Sequence, residues 1–151
     1  MKIVMGSDHG GFGLKARLID RLLALGHEVL DVGCRDLTSV DYPDYGFTVG
    51  EAVARGTADR GVVVCTSGIG ISIAANKVPG VRCALCWNAR AAQLSRQHND
   101  SNVLALGQSM VSEEEALEIL DIWLTTDFEG GRHARRVGKI DSYSPRALVE
   151  I

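Results

Sequence analysis

The 151-residue chain has 46% hydrophobic and 23% charged residues, a composition typical of one globular domain that excludes a disordered or fibrous protein. The formal net charge of −3 gives no general attraction to nucleic acid or to an anionic membrane, so any basic site must be local. The N-terminus lacks the apolar stretch of a signal peptide, and no segment approaches a membrane span in length. We therefore expect a cytoplasmic protein with four reduced cysteines.

Short β-branched runs alternate with longer amphipathic runs along the chain, as is typical of βαβ units around a buried parallel sheet. In chain order, the predicted strands are Ile3–Met5, Glu28–Val32, Gly61–Cys65, Val81–Cys86 and Val103–Leu106. Because the third strand is apolar at every position, we expect it to be central and covered by helices on both faces.

Each strand leads towards a segment with helical spacing of its apolar residues. The first predicted helix carries Leu14 to Leu25, and the second spans roughly Gly46–Arg55. The third and fourth cover Ile71–Lys77 and Ala89–His98. The fifth begins at Ser112, where Glu115 completes a capping box. A polar loop through Asp41–Asp44 is predicted ahead of the second helix. We expect one domain over residues 1–151, with 128–151 as a C-terminal basic segment and tail.

Polar residues gather where strands and helices end. Asp8 and His9 follow the first strand, Cys65 and Ser67 end the third, and His98 closes the helix that leads into the fifth. Ligands bind at the carboxyl ends of strands in open α/β sheets, so we expect these residues to collect there. As alternatives, Asp8 and His9 could merely finish a turn, and His98 could be a helix C-cap rather than a general acid or base.

The turn after the third strand, Thr66-Ser67-Gly68-Ile69-Gly70, has the character of an anion cradle. Its glycines let the backbone approach a ligand and direct several N–H groups at one point. The positive end of the following helix favours an oxyanion and a nearby thiolate. Cys65 is therefore a candidate base, although a small buried hydrophobic residue is the alternative. The turn matches neither a Walker loop nor a dinucleotide fingerprint.

Two further patterns concern phosphate and metal binding. Arg132 and Arg136 would share one face of a helix and could grip a phosphate, unless they are solvated charge. Cys83 and Cys86 lie three apart on a predicted strand and so point to opposite faces, and no second Cys/His pair completes a site. We therefore expect no metal ion there.

Five segments carry a resemblance to a known family. They are Gly6–Gly11, Asp41–Pro43, Cys65–Lys77, Ser95–Asp100 and Gly130–His133. In this order and spacing the chain resembles, to about residue 140, the type B ribose-5-phosphate isomerases, whose relatives include galactose-6-phosphate and allose-6-phosphate isomerases. The resemblance implies a three-layer, Rossmann-like α/β/α sandwich with a five-stranded parallel sheet and no metal or cofactor. It also implies a homodimer or dimer of dimers with a shared active site and a small sugar phosphate as substrate.

The resemblance also implies roles for residues. Cys65 would move the proton between C1 and C2 through an enediolate, Ser67 would handle the hydroxyl protons, and His98 with Asp8 would open the furanose ring. The expected substrate-binding residues are His9, Tyr42, Thr66, Gly68, Ile69, Gly70, Asn99, Arg132 and Arg136. Among them, the amides of the turn and Asn99 would hold the enediolate, while His9 and the two arginines would bind phosphate.

Two residues depart from the family pattern. Thr66 stands where glycine is common, and Ser109 stands where many relatives carry an arginine that helps to bind substrate. The same chemistry on galactose 6-phosphate, allose 6-phosphate or a tetrose phosphate therefore remains open. So does a non-catalytic phosphosugar-binding subunit, although the presence of Cys65, His98 and both arginines argues against it. A flavodoxin-like nucleotide binder lacks support because the turn has no phosphate-loop lysine.

Overall fold

The computed structural model describes residues 1–143. The last part of the predicted tail, including Pro145, lies outside the described residues.

Five parallel strands form one sheet. They are β1 Lys2–Ser7, β2 Glu28–Asp31, β3 Arg60–Cys65, β4 Cys83–Leu85 and β5 Val103–Gly107. The spatial order β2-β1-β3-β5-β4 places β3 at the centre, as its uninterrupted apolar sequence predicts. All four strand pairings are parallel. The predicted five-stranded parallel sheet is therefore confirmed.

Helices connect these strands and extend beyond them. They are a 3₁₀ turn at His9–Gly11, α1 Phe12–Ala24, α2 Tyr42–Ala54, α3 Ile69–Ala75, α4 Ala89–Asn99, α5 Glu113–Thr125 and α6 Arg132–Asp141. At α5 the predicted capping box is confirmed, because Ser112 and Glu115 exchange side-chain and backbone hydrogen bonds. α1, α2 and α5 have 13 residues each, and within the described part of the chain no helix has the length and apolar character needed to cross a bilayer.

The sheet separates two hydrophobic cores, which makes the domain a three-layer α/β/α sandwich. Side chains of α1, α4 and α5, such as Leu18 and Trp123, pack on one face, while α2 and α3 cover the other. Successive residues of β3 alternate between the cores, so that Val64 faces α1 and α5 whereas Cys65 faces α2 and α3. This alternation places the Cys65 thiol on the side of the sheet where α3 begins.

Two predicted boundaries are wrong. The segment Asp41–Asp44 is not a loop, because α2 already begins at Tyr42 with Pro43 in its first turn. Proline is tolerated there, since the first-turn N–H groups have no partner within the helix. β4 covers only Cys83–Leu85 rather than Val81–Cys86, as befits a strand at the edge of the sheet.

Candidate active site

Asp8 and His9 lie just beyond the carboxyl end of β1. The Asp8 carboxylate is buried and accepts a hydrogen bond of 3.0 Å from the Gly11 N–H, so it caps the 3₁₀ turn. The His9 Nδ1 atom accepts from the Val40 N–H at 3.2 Å, which fixes the ring against the loop before α2. Asp8 therefore has the turn-finishing role considered from the sequence, whereas His9 bonds to a loop 31 residues away. Each side chain uses one acceptor atom for its hydrogen bond. The second carboxylate oxygen of Asp8 and the Nε2 atom of His9 can therefore serve another partner.

Cys65 ends the central strand and its side chain is only 4% exposed. Its Sγ atom accepts a hydrogen bond of 3.1 Å from the Gly68 N–H, and the Ser67 Oγ atom accepts one of 3.2 Å from the Ile69 N–H. Gly68 has a φ of 78°, a conformation that favours glycine. The amides of Gly68 and Ile69, which were expected to meet an anion, thus donate to side chains of Cys65 and Ser67 instead. α3 has no side-chain cap, so the Gly70 N–H in its first turn has no partner within the helix.

A second loop, residues 107–109, holds this turn in place. The Gln108 N–H donates to the Cys65 carbonyl at 2.9 Å, and the Ser109 N–H and Oγ donate to the Thr66 carbonyl at 3.0 and 2.7 Å. A Cβ atom on Gly107 would lie 2.4 Å from the Ser67 carbonyl carbon and oxygen, a separation that only glycine avoids. The sequence interpretation missed this support, although a glycine ending an apolar strand was a signal for close backbone approach.

Tyr42 and Thr66 border the same turn. A Cβ atom on Gly70 would lie 2.6 Å from the Tyr42 ring, and one on Gly10 would lie 2.1 Å from the Thr66 Oγ1 atom. The Tyr42 ring therefore packs directly against the backbone of Gly70, and the Thr66 hydroxyl against that of Gly10, because neither glycine has a side chain in between. The structure thus brings Asp8, His9, Tyr42 and the whole turn together at the carboxyl edge of the sheet. We call this group the thiol half-site.

Within one chain, His98 and Asn99 do not lie beside these residues, so the expectation that His98 collects with them at the carboxyl ends of the strands is wrong for a single subunit. α4 ends at Asn99 and leads into β5, whose first residue Val103 pairs with Gly61. Gly61 precedes Cys65 by four residues of β3, which corresponds to about 13 Å along the strand. A helix that leads into a strand ends at that strand's amino end, so His98 and Asn99 lie at the opposite edge of the sheet.

A second polar group, which we call the histidine half-site, is formed at that edge by the end of α4 and the start of α6. The rings of His98 and His133 stack with centroids 4.1 Å apart and planes within 5° of parallel. The Glu129 Oε2 atom lies 3.9 Å from the His98 Nε2 atom and 3.6 Å from the His133 Nε2 atom. Arg132 and Arg136 are both on α6 and exposed, as required for a pair that could grip a phosphate.

Burial determines the charge within this group. His133 is buried, and burial together with the nearby His98 and Arg132 lowers the pKa of its imidazole, against the opposing effect of Glu129. His133 is therefore neutral near neutral pH. Glu129 and His133 were not among the predicted site residues. Their spacing of four residues, on either side of the Gly-Gly pair, was the available signal.

The described residues contain one cluster that could approach a metal ion, with the ligand atoms of His98, Glu129 and His133 within 4.8 Å of one another. However, the two imidazole planes are parallel, so their in-plane lone pairs do not converge on one point. Cys83 and Cys86 pack into the two different cores, which confirms that they point to opposite faces. Burial raises the pKa of Cys86 to about 11 and that of Cys83 further, so neither thiol is a ready ligand.

Comparison with known proteins gives the same assignment along almost the whole chain. A family model described as Ribose/Galactose Isomerase matches residues 3–140. Ribose-5-phosphate isomerase B of Escherichia coli is 48% identical over 96% of this chain and 97% of its own length.

Solved structures agree with this result. Ribose-5-phosphate isomerase B of Clostridium thermocellum superimposes with a TM-score of 0.93 and 57% identity, covering 93% of this chain and 95% of that one. The Mycoplasma genitalium enzyme with bound ribulose-5-phosphate gives a TM-score of 0.89 and 39% identity, with 93% of each chain covered. The chain is therefore a sugar-phosphate isomerase that belongs to the ribose/galactose isomerase family.

Proposed function

We propose that this isomerase interconverts ribose 5-phosphate and ribulose 5-phosphate through an enediolate, with Cys65 as the base. The observation that carries the proposal is the Cys65 thiol at the end of the central strand, in contact with the Gly68 amide at 3.1 Å. This hydrogen bond holds the sulfur at the carboxyl end of the central strand, next to the turn that is expected to bind the enediolate. The names of the Escherichia coli and Clostridium thermocellum relatives support ribose 5-phosphate as the substrate.

The chemistry requires a base and an oxyanion site on one face of the open-chain sugar. Cys65 takes the proton from C2 of the aldose, the C2–H electron pair forms the C1–C2 double bond, and the aldehyde oxygen becomes the oxyanion. The same thiol then returns the proton to C1, while Ser67 exchanges protons with the two hydroxyl oxygens. The Gly70 amide in the first turn of α3, which has no partner within the helix, would stabilise the enediolate, and such preorganised donors supply a large share of catalysis.

The histidine half-site cannot reach the same sugar from within this chain, because it lies at the other edge of the sheet. We therefore infer that a second copy of the chain supplies His98, Asn99, Arg132 and Arg136 to each thiol half-site, as in a homodimer or a dimer of dimers. Exposed apolar residues beside the turn support such an interface: Ile69 and Ile73 on α3 are 45% and 56% exposed.

The base is tested with Cys65→Ala and Cys65→Ser, with Cys86→Ala as the matched control. We expect both Cys65 variants to lose aldose-to-ketose turnover by about 10² to 10⁴, the range for removing a general base. The serine variant keeps an acceptor for the Gly68 amide and so separates the loss of the base from the loss of the hydrogen bond. Near-normal turnover by Cys65→Ser would contradict the assignment.

The shared site is tested by mixing two inactive variants, Cys65→Ala and His98→Ala. If each site takes Cys65 from one subunit and His98 from the other, half of the randomly mixed dimers contain one intact site out of two. Activity then recovers to about a quarter of the wild-type value. Two residues acting within one chain would give no recovery, because every site would then retain a defect.

A different sugar with the same chemistry is the second candidate. The observation that favours it is the Ser109 side chain, which bonds to the Thr66 carbonyl and brings no positive charge to the turn. Thr66 in turn fills the space above Gly10 and narrows the half-site. A panel of four-, five- and six-carbon sugar phosphates decides between the candidates by their values of kcat/KM.

A further inference from the structure

Glu129 occupies a distinctive place in the histidine half-site. Its backbone N–H donates to the Gln97 carbonyl at 3.1 Å, which attaches the segment before α6 to the last turn of α4. Its Oε2 atom lies within 3.9 Å of the Nε2 atoms of both His98 and His133. One carboxylate oxygen thus faces two stacked imidazoles, each on a different helix.

The charges around this pair allow it one proton more readily than two. Two protonated rings would place like charges about 4 Å apart, with only one carboxylate to balance them. Arg132 and Arg136 also disfavour a charge on His133, and burial lowers the pKa of that ring. His98 is the more exposed of the two rings, and the Glu129 carboxylate faces its Nε2 atom.

We propose that Glu129 is a positioning residue that orients the His98 imidazole and holds the proton which His98 exchanges when the sugar ring opens. The proposal rests on the proposed function, in which His98 acts on the furanose form. In that step the bond between C1 and the ring oxygen breaks, the ring oxygen gains a proton from His98, and the proton of the C1 hydroxyl passes to the Asp8 carboxylate of the thiol half-site. The aldehyde forms without any change in oxidation state.

The test separates ring opening from proton transfer between C1 and C2. The C5 hydroxyl of ribulose 5-phosphate carries the phosphate, so this ketose cannot close a five-membered ring. Solvent deuterium therefore enters its C1 position through the enediolate alone, without any ring opening. We expect Glu129→Gln to lower kcat for ribose 5-phosphate by about 10-fold or more, while exchange at C1 of ribulose 5-phosphate stays within about 3-fold of wild type.

Two further variants complete the experiment. Glu118→Gln removes the same charge from an exposed position on α5 and should change neither rate. Glu129→Asp keeps the charge and should recover part of the lost turnover. Circular dichroism and urea unfolding of each variant establish that it is folded.

The possible outcomes are distinct. Equal loss of turnover and exchange in Glu129→Gln, or no loss of either, would overturn the positioning role. A Cys65→Ala variant that retains deuterium exchange at the wild-type rate would instead overturn the proposed function, in which Cys65 is the base.

Discussion

Replacing Gly107 with alanine should lower turnover without altering any side chain of either half-site. Gly107 is the residue of β5 that pairs with Cys65, and its added Cβ atom would lie 2.4 Å from the carbonyl carbon and oxygen of Ser67. Carbon atoms in contact normally stay about 3.5 Å apart, so the backbone at Ser67 has to retreat by about 1 Å. A misplacement of this size at a catalytic group lowers the rate by about 10²-fold.

The same substitution has a separate effect on stability. Over-packing a tightly filled position costs about 1–3 kcal/mol of the free energy of unfolding, because the turn, the backbone of β5 and the nearby Met110 side chain have to adjust. A loss of this size leaves most of the protein folded at 25 °C when the total is about 5–15 kcal/mol. A fall in kcat with folded protein present would then report the position of the turn.

The assay compares kcat for ribose 5-phosphate with urea unfolding of the same preparation. Gly138→Ala is the matched control, because Gly138 lies on α6 and an added Cβ would meet no atom within 4 Å outside its chain neighbours and the backbone of its own helix. This control should keep its turnover and gain up to about 1 kcal/mol, the helix-interior advantage of alanine over glycine. Wild-type turnover and stability in Gly107→Ala would refute the reasoning that the 107–109 loop fixes the turn.

Four further predictions concern the scaffold. Lys15→Met should lower the free energy of unfolding by about 2–3 kcal/mol in urea titrations, because it removes the buried Nζ atom that lies 2.6 Å from Asp31. The Asp31 carboxylate is partly exposed, so water reduces the cost of leaving it without this partner. Ser112→Ala should cost about 1 kcal/mol by the same measurement, because it removes the capping box of α5. Iodoacetamide at pH 8 should leave Cys83 and Cys86 unmodified in the folded protein and modify both in urea, because burial raises their pKa values. The Cys86 thiol ionises near its ordinary pKa of 9.0 when unfolded but at about 11 when folded, so the free energy of unfolding should fall as pH rises between these values.

The prediction of the fold succeeded because the necessary signals are local. Apolar runs of strand length, helical spacing after each of them, and the capping residues at Ser112 and Glu115 each depend on a few neighbouring residues. The start of α2 was placed too late for a local reason as well, since Pro43 signals a loop but is equally compatible with the first turn of a helix.

The candidate site likewise has one part that local sequence signals predict and one part that depends on distant segments. The amino-acid sequence by itself determined the thiol half-site, because Cys65 and its glycine turn are contiguous and the carboxyl end of a central strand is a known place for ligands. Only the tertiary structure decided where His98 lies, since that depends on which edge of the sheet the preceding helix meets. The stacking of His98 on His133 over Glu129 likewise required α6 to pack against α4, an arrangement between distant segments that no local pattern encodes.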